Sequence, residues 1–572
     1  MSLLNGRAKH PTTRPQRRPH PRSSHPRPST EPPLPAQRRL PIFHHVARLI
    51  LLLTAITLHS AAASNTKLYH NPILFSDYSD PDIIRVGNDF YLIASSFHFV
   101  PGIPILHSRD LVHWELAGHV LSSLNMAPQY DMQDGTRYGG GVWAPSVRQH
   151  NGLFYIYFPT PDEGIFVTTA TKMTGPWAPP VAVLSGPGWE DPCPFWDDDG
   201  SAYLLHSKLH AGPLILHQMS PDGKKLLDAG KIIVQDPVHL PTLEGPKLYK
   251  RNGWYYIFAP MGGVGRGPQV VLRSRNIYGP YDYRVVLAQG NTDVNGPHQG
   301  GWVETANGSN WFIHFSLHGA HGRILYLEPV RWVNDWPVMG KASPGATLGY
   351  PVAQYPMPVV DPEADHMDPQ TSDEFNQPVL APNWEWNHNP VNSKWSLTER
   401  AGYLRLHALP SPDLLHARNT LTENMQDESF EVTTRIDLQH TIDGDRAGLS
   451  IFDKGQSYIA VMQNRQDRSL VFSAGGKETS GLSVHQKIVQ LRAVVHDDTA
   501  EYLYSLDDGH SFHRLGSPVI LTFSWWKGAR PALFSFTTGT SPPKDGFVDI
   551  DWVHYRPLSS ASLGDTTASG KK

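Results

Sequence analysis

The hydrophobic pattern between residues 64 and 350 repeats five times. In each copy, a turn containing Gly, Asn or Asp precedes a short strand rich in aromatic and aliphatic side chains, at residues 88–94, 151–157, 199–205, 252–258 and 307–313. The central aromatic residues of successive copies are 48 to 64 residues apart. Repeats of this length with several strands each are typical of propeller blades. The sequence therefore predicts a five-bladed β-propeller over residues 64–350, with an irregular all-β domain as the alternative.

The pattern changes after residue 350. Residues 351–372 are rich in Pro, Asp and Met, which is typical of a linker. Apolar and polar residues then alternate with a period of two, most clearly at 429–438, 457–462, 489–495 and 547–553. Successive side chains of a strand point to opposite faces, so this alternation predicts a β-sandwich over residues 373–558. Residues 559–572 are expected to be a disordered tail, and the whole fold is expected to be all-β.

The first 63 residues form no predicted domain. Residues 1–45 are rich in Pro, Arg, Ser and His and have almost no apolar periodicity, which predicts disorder. An apolar run at 49–58 then follows a basic flank and leads to three alanines ending at Ala63. This order is typical of a secretory signal peptide, so we expect a secreted, extracellular protein. A signal anchor, or a true start further downstream, would give the same sequence.

The charges are unevenly distributed along the chain. Residues 1–63 contain ten basic residues and one acidic residue, which leaves residues 64–572 with 39 basic and 52 acidic residues, a net charge of −13. The negative charge of residues 64–572 disfavours nucleic acid and anionic lipid as partners, and we expect no membrane contact once the leader is removed. The single cysteine, Cys193, excludes an intrachain disulfide and a multi-cysteine metal site, and we expect it to be a small buried packing residue.

The repeat also aligns a set of chemically distinctive residues. They stand 11 to 14 residues before the central aromatic residue of each copy, and they are Asp80, Trp143, Asp191, Glu244 and His298. Equivalent positions in a repeat occupy equivalent places in space, and the innermost strand of each propeller blade lines the central channel. The sequence therefore predicts that these five side chains converge on one axis.

Three carboxyl groups around one cavity have a specific chemical use. Like charges in a confined site raise at least one pKa, so an acid and a base can coexist at one pH. Glycoside hydrolysis requires this pairing, and Trp143 offers a flat apolar face to a sugar ring. The alternative chemistry is metal binding without hydrolysis, for which hard oxygen ligands and one imidazole suit Ca²⁺ better than Zn²⁺.

The motifs around these residues resemble one known family. The segments that carry the resemblance are residues 71–87, 143–145, 191–192, 244–249, 296–300 and 318–323. Together they resemble glycoside hydrolase family 43 over residues 70–350, with motifs in all five repeats. The resemblance implies a five-bladed propeller and an inverting mechanism. It assigns Asp80 as general base, Glu244 as general acid, and Asp191 as the residue that modulates the pKa of Glu244 and orients the substrate.

The resemblance also implies a substrate pocket and its surroundings. Arg323 would contact the sugar in the −1 subsite, and Trp143 and Phe97 would shape the pocket. His298 matches an axial histidine that lies near a Ca²⁺ ion or a water molecule at the channel centre, which makes it a candidate for both substrate and metal binding. No organic cofactor is expected. Many relatives have Ser or Ala at the position of Cys193.

The second domain resembles the concanavalin A-like jelly roll that follows the propeller in many family 43 β-xylosidases. The resemblance rests on residues 384–386 and the closing strand at 547–553. In those enzymes a loop of this domain can close one side of the pocket; a passive stabilising domain and a carbohydrate-binding module are the alternatives.

The expected activity is exo-acting, inverting release of terminal β-1,4-linked xylose, with xylo-oligosaccharide or arabinoxylan as the partner. An α-L-arabinofuranosidase and a catalytically silent carbohydrate-binding protein are the other hypotheses. The intact set of Asp80, Asp191 and Glu244 argues against the silent protein. The oligomeric state stays open.

Overall fold

The computed structural model describes residues 67–358, 369–539 and 546–558. The predicted leader and signal peptide (1–63), the predicted tail (559–572) and residues 359–368 of the predicted linker lie outside the described residues. In the described part of the chain, no helix is long and apolar enough to cross a membrane. Helical structure there is limited to four short 3-10 turns, Pro128–Asp131, Gly319–His321, Asn392–Lys394 and Leu414–His416.

Five antiparallel four-stranded sheets follow one another along the first half of the described chain, and they form the predicted five-bladed propeller. Their strands are Asp82–Val86, Asp89–Ile93, Gly102–Ser108 and Glu115–Leu121; Ser146–His150, Leu153–Thr160, Gly164–Ala170 and Val181–Ser185; Trp189–Trp196, Ala202–Lys208, Leu214–Met219 and Lys231–Val234; Lys247–Arg251, Trp254–Pro260, Gln269–Ser274 and Asp282–Leu287; and His298–Glu304, Asn310–His318, Gly322–Val333 and Trp336–Met339.

The turns of the repeat are hairpins between the first and second strands of the blades. Asn151 and Gly152 have φ of 48° and 77°, and Asn252 and Gly253 have φ of 52° and 70°. Two-residue hairpin turns of type I′ require positive φ at both central positions, and Asn-Gly adopts it at little cost. Each central aromatic residue of the repeat lies on the second strand of its blade. The first strands surround the axis, since the first strand of the first blade contacts those of the second and fifth blades.

The ring is closed by the start of the propeller segment and by residues 354–356, which belong to the predicted linker. Strand Leu68–His70 pairs with strand Gln354–Pro356. The Tyr69 hydroxyl donates to the carbonyl of Leu327 in the fifth blade at 2.8 Å. The amide of Asn71 donates to the same carbonyl at 2.9 Å. The segment before the first blade is therefore attached to the last blade.

The second domain is a sandwich of two sheets with an apolar core between them. One sheet contains Lys477–Ser483, Asp467–Ala474, Tyr458–Asn464, Asp445–Phe452, Arg530–Thr537, Leu421–Thr422 and Glu385–Asn387, with Leu409–Pro410 beside it. The other contains Trp395–Ser396, Leu404–His407, Phe547–Pro557, Ser429–Asp437, Ile488–His496, Thr499–Ser505, His513–Arg514 and Val519–Ile520. All four segments of predicted alternation are strands.

Main-chain pairing joins the sandwich to the propeller. Strand Phe99–Val100, from the first blade region, pairs with Glu385–Asn387 at the end of a sandwich sheet. Behind this junction, the buried guanidinium of Arg530 donates to the Glu385 carboxylate at 2.8 Å. Burial alone would raise the pKa of Glu385, but Arg530 and His119 lower it to about 2. The paired charges keep this junction buried without an unpaired acid.

Candidate active site

A pocket of about 320 Å³ lies at the centre of the propeller. Its lining residues are Asp80, Phe97, Trp143, Ala144, Glu190, Asp191, Glu244, Gly263, Val264, Gln299, Arg323 and Trp526. Six of the seven residues predicted from the sequence are among them. The seventh, His298, is fully buried behind Glu244, and its neighbour Gln299 lines the pocket instead.

Unusual backbone conformations aim the acidic side chains at the pocket. Asp80 and Asp191 have φ of 55° and 54°, in the left-handed region. Such conformations cost about 1–3 kcal/mol each for residues other than glycine and cluster at active sites. The strand carrying Asp191 has a register shift between Glu190 and Cys193. A bulge of this kind redirects side chains, which explains how the first strand of the third blade presents its carboxyl groups to the axis.

Asp80 is held by two donors. The Ser95 hydroxyl donates to Oδ2 at 2.6 Å, and the Arg323 guanidinium donates to Oδ1 at 2.9 Å. The side chains of Asp80 and Arg323 are each only 7% exposed. Asp80 is therefore a fixed carboxylate at the pocket wall, in a geometry that suits a group accepting a proton from water.

Glu244 is the more exposed of the two proposed catalytic carboxyl groups, with 21% of its side chain accessible. Its Oε1 lies 2.8 Å from Nε2 of His298, which is fully buried. The next residue, Gly245, donates its backbone N–H to Oδ2 of Asp191 at 2.8 Å. The histidine thus fixes the carboxyl group of Glu244, and Asp191 fixes the main chain beside it.

Asp191 is nearly as buried as Asp80, with 6% of the residue accessible. It also accepts a hydrogen bond from the Ser207 hydroxyl at 3.1 Å. Burial raises its pKa, and the charges of Glu244 and Asp80 raise it further, against the opposing effect of the Gly245 hydrogen bond. The carboxyl groups around this pocket are therefore electrostatically coupled, as a division into acid and base requires.

The described residues supply no set of protein ligands for the expected Ca²⁺ ion. Among the described residues, no group of three or more His, Cys, Asp or Glu side chains is arranged to hold a metal ion. His298 directs one ring nitrogen to Glu244, and no residue in the described part of the chain hydrogen-bonds to its buried Nδ1. Calcium binds six to eight oxygen ligands, which these residues do not supply. The residues present do not fit a protein-ligated calcium ion.

Aromatic rings from both domains form the remaining walls. The Trp143 ring meets Phe97 edge to face at 6.2 Å between centroids and Trp526 at 6.0 Å. The indole N–H of Trp143 is fixed by the carbonyl of Gly139 at 2.8 Å. Flat apolar faces of this kind suit the carbon-bound hydrogens of a sugar ring. Trp526 belongs to the sandwich, so the second domain contributes directly to the pocket.

Trp526 lies at the tip of a strained turn. Ser524 and Lys527 exchange two backbone hydrogen bonds of 2.9 Å, which leaves Trp525 and Trp526 as the two central residues. Their φ values are 55° and 68°, where Asn-Gly is the usual pair. Trp525 stacks on Tyr138 of the propeller at 4.2 Å between centroids. This stacking helps stabilise a backbone conformation that bulky residues disfavour.

Asp77 connects the turn at residues 524–527, the tryptophan turn, to the side of the pocket that carries Asp80 and Arg323. Its Oδ2 accepts hydrogen bonds from the backbone N–H of Gly528 at 2.9 Å and lies 3.1 Å from Nζ of Lys527. Its Oδ1 accepts the backbone N–H of Arg323 at 2.9 Å. One carboxylate therefore holds both the tryptophan turn and the strand that carries the partner of Asp80.

Replacing Asp77 by asparagine should disturb the tryptophan turn and thereby the pocket, although Asp77 itself does not line the pocket. The buried Lys527 ammonium would lose its counterion, which is expected to lower the free energy of unfolding by about 3 kcal/mol or more. We also expect KM to rise more than kcat falls, because the tryptophan turn would no longer be fixed. Chemical denaturation and steady-state kinetics measure these effects. The double variant Asp77→Asn with Lys527→Met should recover stability; no recovery would contradict the ion-pair explanation.

The sequence did not point to several pocket residues. Glu190 adjoins Asp191, but the strict alternation of side chains along a strand would point Glu190 away from the pocket. Gly263 and Val264 come from a Gly-rich segment, residues 262–267, which lies between two strands as a pocket loop. The one usable signal was its position, since it follows the second of the two strands that come after Glu244. Cys193 is fully buried, as expected, where its sulfur accepts the backbone N–H of Leu248 at 3.2 Å.

Comparison with known proteins gives one family. The sequence profile of Glycosyl hydrolases family 43 matches residues 69–337, and that of the Beta xylosidase C-terminal Concanavalin A-like domain matches residues 372–556. A protein of Xylanibacter ruminicola named as a beta-xylosidase is 43% identical over 463 residues, 81% of this chain and 85% of the relative. A non-reducing end alpha-L-arabinofuranosidase of Bacteroides ovatus is 34% identical over 378 residues, 63% of this chain and 68% of the relative.

The fold comparison agrees with the sequence comparison. The crystal structure of a xylan beta-1,4-xylosidase from Bacillus halodurans is 25% identical and superposes with a TM-score of 0.74. The match covers 85% of this chain and 99% of that structure. The similarity therefore extends through the propeller and the sandwich together.

Proposed function

The chain belongs to glycoside hydrolase family 43, and from this premise we propose that it is an exo-acting, inverting β-xylosidase that releases terminal β-1,4-linked xylose from xylo-oligosaccharides. It is a glycoside hydrolase of the β-xylosidase and arabinofuranosidase type, and enzymes of this family need no organic cofactor. The observation that carries the finer proposal is the pairing of Asp80 and Glu244 in one pocket, each held by different partners.

The two carboxyl groups have partners suited to different roles. Asp80, between Arg323 and Ser95, would take the proton of a water molecule that attacks the anomeric carbon. Glu244, more exposed and fixed by His298, would donate a proton to the oxygen of the leaving sugar. Attack from the face opposite the leaving group inverts the configuration, so β-xylosides would give α-xylose first.

Exo action is supported by the wall that the second domain adds. Trp526 stands against Trp143 at the edge of the pocket, and it is held there by Asp77 through the following residues. A wall on this side favours binding of a chain end over an internal part of a chain. The proposal therefore assigns the enclosed pocket to the terminal sugar.

The first experiment tests whether the enzyme prefers to release xylose or arabinofuranose. We expect hydrolysis of 4-nitrophenyl β-xyloside with a higher kcat/KM than that of 4-nitrophenyl α-L-arabinofuranoside. The opposite ranking would favour the arabinofuranosidase hypothesis, to which the Bacteroides ovatus relative lends support. No turnover of either substrate, with retained xylan binding, would favour a silent binding protein. Stepwise release of xylose from xylotetraose checks exo action.

Secretion is part of the proposal. Its support is the predicted signal peptide ending at Ala63, together with a single glycosylation sequon at Asn307, which is exposed in a hairpin turn. N-terminal sequencing of exported protein should begin at Ser64. Retention of the basic leader in the mature protein would contradict it.

A further inference from the structure

A fourth carboxyl group lines the pocket. Adjacent residues of a regular strand point to opposite faces, yet Glu190 and Asp191 both face the pocket. The register shift after Glu190 and the left-handed conformation of Asp191 make this possible. Glu190 is only 4% exposed, so what remains accessible of it faces the pocket.

One oxygen of Glu190 is anchored and the other is not. Its Oε1 accepts the backbone N–H of Ala211 at 2.9 Å and a long hydrogen bond of 3.5 Å from the Ser207 hydroxyl. Among the described residues, no hydrogen bond reaches Oε2. The carboxyl group is therefore held in place while one oxygen stays available to a ligand.

The surroundings of Glu190 favour its neutral form. Burial raises its pKa first, and the charges of Asp191 and Glu244 raise it further, against the hydrogen bond from Ala211. A neutral carboxyl group carries an O–H that can donate a hydrogen bond, as well as a carbonyl oxygen that can accept one. The free end of Glu190 thus suits a sugar hydroxyl better than a cation.

The position of Glu190 in the ring indicates which sugar it meets. It lies on the first strand of the third blade, next to the fourth blade, where Glu244 precedes the first strand. Asp80 precedes the first strand of the first blade, which does not adjoin the third. Under the proposed function, Glu244 protonates the leaving oxygen, so Glu190 stands on the side of the leaving sugar.

We propose that Glu190 is a specificity-determining residue whose free oxygen hydrogen-bonds to a hydroxyl group of the leaving sugar. This inference rests on the proposed function, because it takes the side of Glu244 as the leaving-group side. It assigns the recognition of a sugar leaving group, as distinct from an aryl or alkyl group, to a residue outside the Asp80, Asp191 and Glu244 set.

Three substrates test the proposal with the variants Glu190→Ala and Glu190→Gln. Xylobiose has a sugar leaving group, whereas methyl β-xyloside and 4-nitrophenyl β-xyloside do not. Glu190→Ala should lower kcat/KM for xylobiose about tenfold more than for either of the others, which corresponds to one lost hydrogen bond. Glu190→Gln can donate from the same place and keep the Ala211 contact, so it should recover most of this loss. Glu304→Gln, on the exposed end of a fifth-blade strand, is the control for the change itself.

The methyl glycoside separates binding from acid catalysis. Methanol is a poor leaving group that needs protonation but offers no sugar hydroxyl, so a residue acting through Glu244 would affect methyl xyloside and xylobiose alike. Equal losses on these two substrates, or on all three, would overturn the proposal. If the unmodified protein hydrolyses none of them, the proposed function fails; if it hydrolyses xylobiose and the variants show no difference between substrates, only the role of Glu190 fails.

Discussion

Replacing Glu244 by glutamine is expected to lower kcat/KM for xylobiose by about 10²- to 10⁴-fold, the usual contribution of a general acid. The amide keeps the size of the side chain and can still contact His298, which lies 2.8 Å from the carboxylate, but it has no acidic proton to transfer to the leaving oxygen. A departing xylose needs that proton because its alkoxide is a poor leaving group. A departing 4-nitrophenolate needs little help, so the loss on the aryl xyloside should be much smaller.

The difference between the two substrates is the informative quantity. Steady-state kinetics on xylobiose and 4-nitrophenyl β-xyloside measures it, and the basic limb of the pH profile should disappear in the variant if it reports the acid. Glu304→Gln serves as a matched control with the same chemical change at an exposed site. Equal losses on both substrates would remove Glu244 from the role of acid and would favour a purely positional one.

The parts of the fold visible in the sequence are those encoded locally. Asn-Gly turns fix hairpins between neighbouring strands, as at Asn151 and Asn252, and the aromatic residues that follow them lie on the second strands as expected. The common phase of the repeat also placed Asp80, Asp191 and Glu244 at one pocket. Equivalent positions in a propeller face the same axis, so a pattern of spacing carries three-dimensional information.

The parts that the sequence did not reveal depend on departures from regular geometry or on distant contacts. Glu190 reaches the pocket only because the strand bulges beside Asp191, and a second register shift follows His298, where Gln299 takes the pocket position. Trp526 comes from another domain, and its place is set by Asp77, hundreds of residues earlier in the chain. A single sequence contains no periodic signal for either kind of contact.

Replacing Asp80 by alanine is expected to lower kcat/KM by about 10²- to 10⁴-fold on xylobiose and on 4-nitrophenyl β-xyloside alike. The attacking water needs a base whichever group departs. The loss should therefore not depend on the leaving group, in contrast to the loss expected for Glu244→Gln. The variant also leaves the Arg323 guanidinium buried without its carboxylate, so its thermal midpoint should fall. Asp80→Asn keeps the volume of the side chain and serves as the matched variant.

Azide distinguishes a base from a residue that merely binds sugar. The space left in Asp80→Ala admits a small anion that needs no deprotonation and can attack the anomeric carbon of the aryl xyloside where water would. We expect azide to restore part of the activity of Asp80→Ala, but not of Asp80→Asn, and to give α-xylosyl azide. NMR of the first product measures the configuration, and the unmodified protein should give α-xylose. β-Xylose as the first product of the unmodified protein would show a double displacement, in which the carboxylate acts as a nucleophile. A β-xylosyl azide from Asp80→Ala would show attack from the face of the leaving group and would remove Asp80 from the role of base, which requires attack from the opposite face.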